Sequence, residues 1–298
     1  MQVGFIGLGK MGRLMASNLS RDFDVIGYDI DKAAREEAKK NGIKIANDFV
    51  EFLKMLYAPR TIFIMVPHGK PVDDVIASLT ASLSKGDVLI DAGNSNYKDS
   101  ILHYEQLKKN GIQFLDAGTS GGLEGAKEGA SFTIGGDREV YEKTKAVFEA
   151  LAAKDGVCYT GKSGSGHFVK MVHNAVEYAL MQAYAEGFEF LSKSCYEINL
   201  ADVASVWNNG ALIRSRLLEL CEDVLREDNF DGVKGAVRGE TEDLVMKIVE
   251  EAKGRDATFS VIAMALDERI KSRMKESFTS KLVAALRNKF GGHTVERK

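Results

Sequence analysis

Through the first half of the chain, short apolar and β-branched runs alternate with stretches of helical periodicity. The runs predict strands at 3–6, 24–28, 61–66, 88–91, 113–117 and 131–134. Apolar positions recurring every three or four residues predict helices near 11–20, 32–41, 72–83, 98–109 and 139–152. Such alternation builds a mainly parallel sheet with helices on both faces. The pattern changes near Thr160. Beyond the segment Gly161-Lys162-Ser163-Gly164-Ser165-Gly166 no useful β-rich run remains, and a long helical pattern runs over 167–194, followed by further helices from 200 to 287. All three prolines (Pro59, Pro67, Pro71) lie in the first half, which suits long uninterrupted helices in the second. The chain closes on Phe290-Gly291-Gly292-His293, a helix stop with a short tail. The expectation is an α/β Rossmann-type doubly wound sheet over 1–162, then an all-α domain with a C-terminal tail over 163–298.

Composition narrows the class. A net charge of −3 argues against a general nucleic-acid or membrane-surface binder, so any anionic ligand needs a local basic cluster. Cys158, Cys195 and Cys221 are odd in number and widely spaced, which gives neither a disulfide framework nor a zinc site and suits a reducing compartment. No metal-ligand cluster is legible. No apolar run reaches spanning length, and the first strand begins too early for a leader, so the expected location is the cytoplasm.

One helical stretch carries unusual chemistry. At about 100° per residue, Lys170, His173, Asn174 and Glu177 share a narrow stripe with Tyr178 at its edge. Val169, Val172, Val176, Ala179 and Ala183 form the complementary stripe, expected to pack on the core. An amine and a carboxylate two turns apart can serve as base and acid on one bound molecule. Alone, the same letters also describe a solvated helix face.

The company of this helix weighs against that plain reading. Gly7-x-Gly9-x-x-Gly12 follows the first strand and opens the first helix, with Leu8, Lys10 and Met11 between the glycines. This is the dinucleotide fingerprint: a tight turn at Gly7, close backbone approach at Gly9, and close helix–strand packing at Gly12. Asp29, at the end of the next strand, can accept both ribose hydroxyls of NAD and would repel the 2′-phosphate of NADP. Ile30 and Asp31 add no compensating cation, and Lys32 is the nearest one. NAD is therefore expected over NADP. Two more glycine-rich segments, Asp91-Ala92-Gly93-Asn94-Ser95 and Asp116-Ala117-Gly118-Thr119-Ser120-Gly121-Gly122, sit at strand ends where open parallel sheets bind ligands. Each by itself is also compatible with an ordinary strand-exit turn.

Together, the loop at 7–12, the Ser120-Gly121-Gly122 segment and Gly164-x-Gly166-x-x-x-Lys170 resemble the β-hydroxyacid dehydrogenases. Asp91-Ala92-Gly93-Asn94-Ser95 and Lys170-x-x-His173-Asn174-x-x-Glu177-Tyr178 narrow the resemblance to the decarboxylating 6-phosphogluconate dehydrogenases, in their shorter, often NAD-linked branch. Hydroxyisobutyrate-type relatives share the first set but lack the His-Asn-x-x-Glu-Tyr continuation. The resemblance implies Lys170 as base and Glu177 as acid. It implies Asn94, Ser120, Gly121, Gly122, His173 and Asn174 as substrate contacts, and Val66 and Asn94 as further cofactor contacts. Tyr178 and Arg269 would hold a phosphate with Arg287 of a neighbouring subunit, His293 nearby, which implies a homodimer or homotetramer exchanging tails. The family's Gly-(Lys/Arg)-Trp-Thr segment survives here only in outline at 253–259, leaving its contact to Lys253 or Arg255.

The implied reaction is oxidation of 6-phosphogluconate at C3, loss of carbon dioxide and formation of ribulose 5-phosphate, a step of the pentose phosphate pathway. Two other readings remain open from the residues. A non-decarboxylating hydroxyacid dehydrogenase would keep Lys170 without needing Glu177, and a non-catalytic NAD-binding protein would need neither.

Overall fold

The computed structural model describes all residues except Arg238, Glu240, Arg297 and Lys298, and only the main chain of Asp231. The chain divides into two compact units, Met1–Met171 and Val172–Lys298. The first holds eight strands in one sheet: β1 (Gln2–Ile6), β2 (Asp24–Tyr28), β3 (Lys44–Ile45), β4 (Thr61–Ile64), β5 (Val88–Asp91), β6 (Gln113–Ser120), β7 (Ala130–Gly136) and β8 (Ala152–Gly161). Their order is β3-β2-β1-β4-β5-β6-β7-β8. The first six run parallel in the doubly wound order, while β7 returns antiparallel to β6 and β8 runs parallel to β7. The connecting helices are α1 (Lys10–Leu19), α2 (Lys32–Lys40), α3 (Phe49–Met55), α4 (Lys70–Thr80), α5 (Tyr97–Lys108), α6 (Gly122–Glu128) and α7 (Arg138–Leu151). The long helix α8 (Ser165–Ser192) begins in this unit and continues into the next.

Both faces of the sheet are covered, so its strands read as continuous apolar runs. On one face Phe5, Phe63, Phe132 and Phe148 pack with Leu8, Met15 and Leu19 of the first helix region. Phe148 lies 5.6 Å from Phe63 and 5.5 Å from Phe132 between ring centres. The other face gathers Phe52, Ile62, Leu79, Leu89 and Phe114. Each fully buried ring or branched chain contributes about 1.5–3 kcal/mol, and this anchors the strand ends where the candidate site lies.

Four elements fall outside the sequence-based expectation. β3 has two residues, and β8 is an edge strand of half-buried and exposed residues with Asp155 at φ 60°, so neither offers a buried apolar run. α6 spans seven residues and includes Gly122 and Gly125, which hide its period. α3 did leave a signal: the Asp48 side chain accepts from the Glu51 N–H at 2.8 Å, and Glu51 accepts from the Asn47 N–H at 2.8 Å. That is a reciprocal cap, spelled in the sequence as an acid followed three residues later by Glu.

The second unit is helical. Beyond α8 it holds α9 (Leu200–Asn208), α10 (Arg216–Leu225), a short 3-10 turn at Phe230–Gly232, α11 (Glu242–Gly254), α12 (Ser260–Lys271) and α13 (Phe278–Gly291). Asn199, Ser215 and Ser277 cap three of these helices with side-chain oxygens. Gly292, at φ 62°, ends α13 in a left-handed cap, and its N–H donates to the Asn288 carbonyl at 2.9 Å. Phe188, Leu218, Cys221, Val224, Leu244, Ile248, Leu282 and Leu286 are buried here. Among the described residues no helix is long and apolar enough to cross a membrane.

The two sides of α8 are the reverse of the expectation. Lys170, Asn174 and Tyr178 are only 6%, 7% and 6% exposed, whereas Val169, Val176 and Leu180 are 38%, 43% and 43% exposed. The buried period runs through Met171, Ala175, Tyr178, Met181, Ala185 and Phe188, where the large Met, Tyr and Phe side chains take the interior in place of the valines. Lys170 and Asn174 lie along that same period and are drawn inside with it, whereas His173 stays exposed and Glu177 is half-buried.

Candidate active site

The glycine loop is shaped by the main chain around it. Gly7 sits at φ 95° and its N–H donates to the Tyr28 carbonyl at 2.9 Å, locking β1 to the end of β2. A Cβ there would lie 2.2 Å from the Met65 carbonyl oxygen, and one at Gly12 would lie 2.0 Å from that of Gly7. Gly9 differs: an added Cβ would meet nothing within 4 Å. The protein itself does not require glycine there, so the empty space in front of the loop is what a pyrophosphate would use. No side chain caps α1, so the N–H groups of its first turn, around Lys10, Met11 and Gly12, face that space as an anion site.

Asp29 is fixed before any ligand arrives. Its carboxylate accepts from the Leu8 N–H at 2.6 Å and from the Asp31 N–H at 2.8 Å, which ties the loop to the end of β2. The sequence singled out Lys32 as the nearest cation, but Arg35 is the one that reaches this edge. Its guanidinium donates to the carbonyls of Asp29 at 2.6 Å and Ile30 at 3.2 Å, and lies 5.9 Å from the Tyr28 ring centre. Its place one turn into α2 was the available signal. Val66 lies beside this loop, its Cγ1 3.0 Å from where a Gly7 Cβ would be. These residues fit a dinucleotide.

Two strand ends complete the first unit's share. Buried Asp91 accepts from the Gly93 N–H at 3.1 Å and from Ser95 Oγ at 2.6 Å, holding the turn that carries Asn94. Asn94 Oδ1 is buried with no hydrogen-bond partner among the described residues. Lys170, near the start of α8, donates from Nζ to Ser120 Oγ at 2.7 Å. Gly121 and Gly122 follow at φ 124° and 60° and start α6 with no capping side chain, leaving main-chain donors at the turn.

The second unit has its own cluster. On α8, His173 Nδ1 stands 3.9 Å from Glu177 Oε2 and 3.3 Å from Asn174 Oδ1. One residue after Glu177, the ring of Tyr178 lies 3.4 Å beneath the Arg269 guanidinium. Neither Nη group of Arg269 has a hydrogen-bond partner among the described residues, although the side chain is buried. Burial is the main reason its pKa falls to about 10. The nearby Arg287 pushes it the same way, while Tyr178 and Glu177 oppose. A Cβ on Gly239 would sit 2.9 Å from the Tyr178 hydroxyl and 3.6 Å from both Arg269 Nη1 and Arg287 Nη2. Gly239 therefore marks a spot that three donors surround, and sequence reading had no signal for it. Tyr178 also lies 3.4 Å from Thr241 Oγ1.

Arg287 lies beside the cluster of its own chain. It is buried in α13, and its delivery to a neighbouring subunit is what the resemblance implies. His293 lies just past the end of α13. Its ring lies 6.2 Å from Phe290, and its carbonyl accepts from Asn288 Nδ2 at 2.7 Å. The segment 253–259 comprises the last residues of α11 and the turn into α12, where the Ala257 N–H closes on the Ala252 carbonyl at 2.9 Å and Arg255 pairs with Glu251.

The doubly wound sheet with its glycine loop, followed by helices, is the architecture of the β-hydroxyacid dehydrogenase class of oxidoreductases, and the family matches assign the chain to that class. Residues 2–163 match the family model of the NAD binding domain of 6-phosphogluconate dehydrogenase, and 166–195 with 189–298 match its C-terminal domain. The chain belongs to the 6-phosphogluconate dehydrogenase family. It is 45% identical, over an alignment of 300 positions that covers 100% of both chains, to Bacillus subtilis YqeC, a protein named only provisionally as a 6-phosphogluconate dehydrogenase. It is 40% identical to the NAD(+)-dependent, decarboxylating 6-phosphogluconate dehydrogenase of Haloferax volcanii, over 100% of this chain and 99% of that one. Among solved structures, 6-phosphogluconate dehydrogenase of Plasmodium falciparum, described with NADP+ and with 6-phosphogluconate, superposes with a TM-score of 0.85. The two are 29% identical over 93% of this chain and 63% of that one.

Proposed function

We propose that this chain oxidises 6-phosphogluconate at C3 and decarboxylates the product to ribulose 5-phosphate, with NAD favoured over NADP. The observation that carries the reading is α8, a single helix bearing buried Lys170, held at Ser120 Oγ, and Glu177 two turns further on. The names of full-length relatives supply the substrate. Gly7, Leu8, Gly9, Lys10, Met11, Gly12, Asp29, Val66 and Asn94 would hold NAD, whose nicotinamide supplies the hydride acceptor.

Lys170, in its neutral form, takes the C3 hydroxyl proton as the carbon is oxidised. The β-keto acid that results can lose carbon dioxide, because its C3 carbonyl accepts the electron pair of the breaking C–C bond. Lys170, now protonated, donates to that oxygen and stabilises the enolate. Glu177 then protonates C1 to give the pentulose phosphate. Asn94, Ser120, Gly121, Gly122, His173 and Asn174 orient the sugar acid. Tyr178, Arg269 and Arg287 take the phosphate, with His293 at the same end of the substrate. Forked guanidinium donors suit a phosphate better than ammonium groups do. The resemblance further implies a cytoplasmic homodimer or homotetramer whose tails are exchanged between subunits.

The test is an assay of 6-phosphogluconate with NAD and with NADP, following reduced cofactor and carbon dioxide together. Equal release of both supports the reading. Reduced cofactor without carbon dioxide indicates a non-decarboxylating dehydrogenase, and neither indicates a binding protein. Lys170→Ala should lower kcat by at least about 10²-fold, and substantial remaining turnover would remove it as the base. Asp29→Ala should improve use of NADP relative to NAD, and no change would sink the cofactor assignment.

A further inference from the structure

We propose that Asp116 is a positioning residue for Lys170, and that one face of β6 sets the lysine's place along the strand. The proposal rests on the reading of Lys170 as the base. Asp116, Gly118 and Ser120 are alternate residues of β6 and so share one face of the strand. The first turns of α8 lie along that face and meet it at three points.

At the first point, the fully buried Asp116 carboxylate caps α8. Oδ1 accepts from the Gly164 N–H at 2.6 Å and Ser163 Oγ at 3.4 Å, and Oδ2 accepts from the His167 N–H at 3.0 Å. Helix caps are usually local in sequence. This one comes from a strand about 50 residues earlier, so it fixes the helix to the sheet as well as satisfying its end. A negative charge at this terminus is also favoured by the helix dipole.

At the second point, a Cβ on Gly118 would lie 2.3 Å from Lys170 Cβ. Gly166 answers from the helix side, where a Cβ would lie 2.4 Å from the Asp116 carbonyl oxygen. Thr133 of β7 ties the same turn down by donating from Oγ1 to the Gly166 carbonyl at 2.9 Å. At the third point, Lys170 Nζ reaches Ser120 Oγ. Cap, close approach and amine contact are thus set by one strand, and loosening the first releases the others.

The experiment compares wild type with Asp116→Asn, Thr133→Val and Lys170→Ala, using 6-phosphogluconate and its C3-deuterated form. Asn keeps the size of Asp116 but offers one acceptor oxygen where two N–H groups need one each. We expect Asp116→Asn to lower kcat roughly tenfold to a hundredfold and to raise the deuterium isotope effect on kcat. KM for NAD should stay within twofold, because the glycine loop is untouched. Thr133→Val should move the same quantities less, and it decides the matter if Asp116→Asn does not fold. A purely structural role would lower the fraction of active enzyme and leave the isotope effect unchanged, which overturns the proposal. Near-wild-type turnover in Lys170→Ala removes the base assignment and this proposal with it. Loss of turnover there, with wild-type isotope effects in both other variants, overturns this proposal alone.

Discussion

The glycine loop of the first unit and the arginine cluster of the second would both receive phosphate groups, but they are made from different materials. The loop is main chain: at Gly7 and Gly12 neighbouring carbonyl oxygens leave no room for a side chain, whereas at Gly9 the protein leaves room and only a bound ligand would need the space. The cluster is side chain, with Tyr178, Arg269 and Arg287 drawn from α8, α12 and α13. A main-chain site is finished when the fold is finished. A site of buried guanidinium groups stays incomplete until an anion arrives, and in the free protein it carries a desolvation cost.

That contrast can be broken by experiment. The largest effect is expected from Gly7→Ala, where a positive φ and the Met65 carbonyl both oppose the methyl group. Unfolding in urea should show a loss of about 2–4 kcal/mol, and NAD titration should show no binding. A stable Gly7→Ala protein with normal NAD affinity would mean that the loop is not built as described.

Arg269→Met should behave in the opposite way. KM for the phosphorylated substrate should rise by an amount equivalent to about 2–3 kcal/mol, while stability without an anion should be unchanged or higher by about 1–2 kcal/mol. Inorganic phosphate should raise the thermal midpoint of the wild type and leave that of Arg269→Met where it is. A strongly destabilised Arg269→Met protein would show that the arginine belongs to the fold. The pH dependence has a definite sign. Burial lowers this pKa from the ordinary guanidinium range to about 10, so between about 10 and that range the unfolded chain holds more protons. The cost of the buried charge is full below about 10 and is relieved as pH rises through that window.

The smallest effect, and the sharpest for the comparison, comes from Gly9→Ala. Its stability should stay within about 0.5 kcal/mol of wild type while affinity for NAD falls about tenfold, since the methyl group occupies ligand space. Loss of stability together with affinity would erase the distinction between Gly9 and Gly7.

The two regions also differ in how they can be read. The parallel strands and the loop were legible because their requirements are local: buried runs, a tight turn, an acid at the next strand's end. The elements that escaped are short or at edges, as with β3, β8 and α6, where local pattern is weak. Lys170 and Glu177 were legible as a pair on a helix, but the side of the helix they occupy was not. Valine and methionine periods competed, and packing within the fold decided between them. The meeting of Tyr178 with Arg269 and Arg287 joins residues about 90 and 110 positions apart, and no periodicity reports such a distance. Gly239 becomes informative only once those donors are seen around it.

Asp116, Gly118 and Ser120 share their face of β6 only because two residues, Ala117 and Thr119, separate them. A single-residue insertion or deletion anywhere between Asp116 and Ser120 would turn part of the set to the opposite side of the sheet. Many individual substitutions elsewhere in this strand could be absorbed by repacking, but a change in count could not. For β6, then, spacing is inherited as a unit. The lengths of nearby surface turns can drift, while this five-residue stretch has to be transmitted whole.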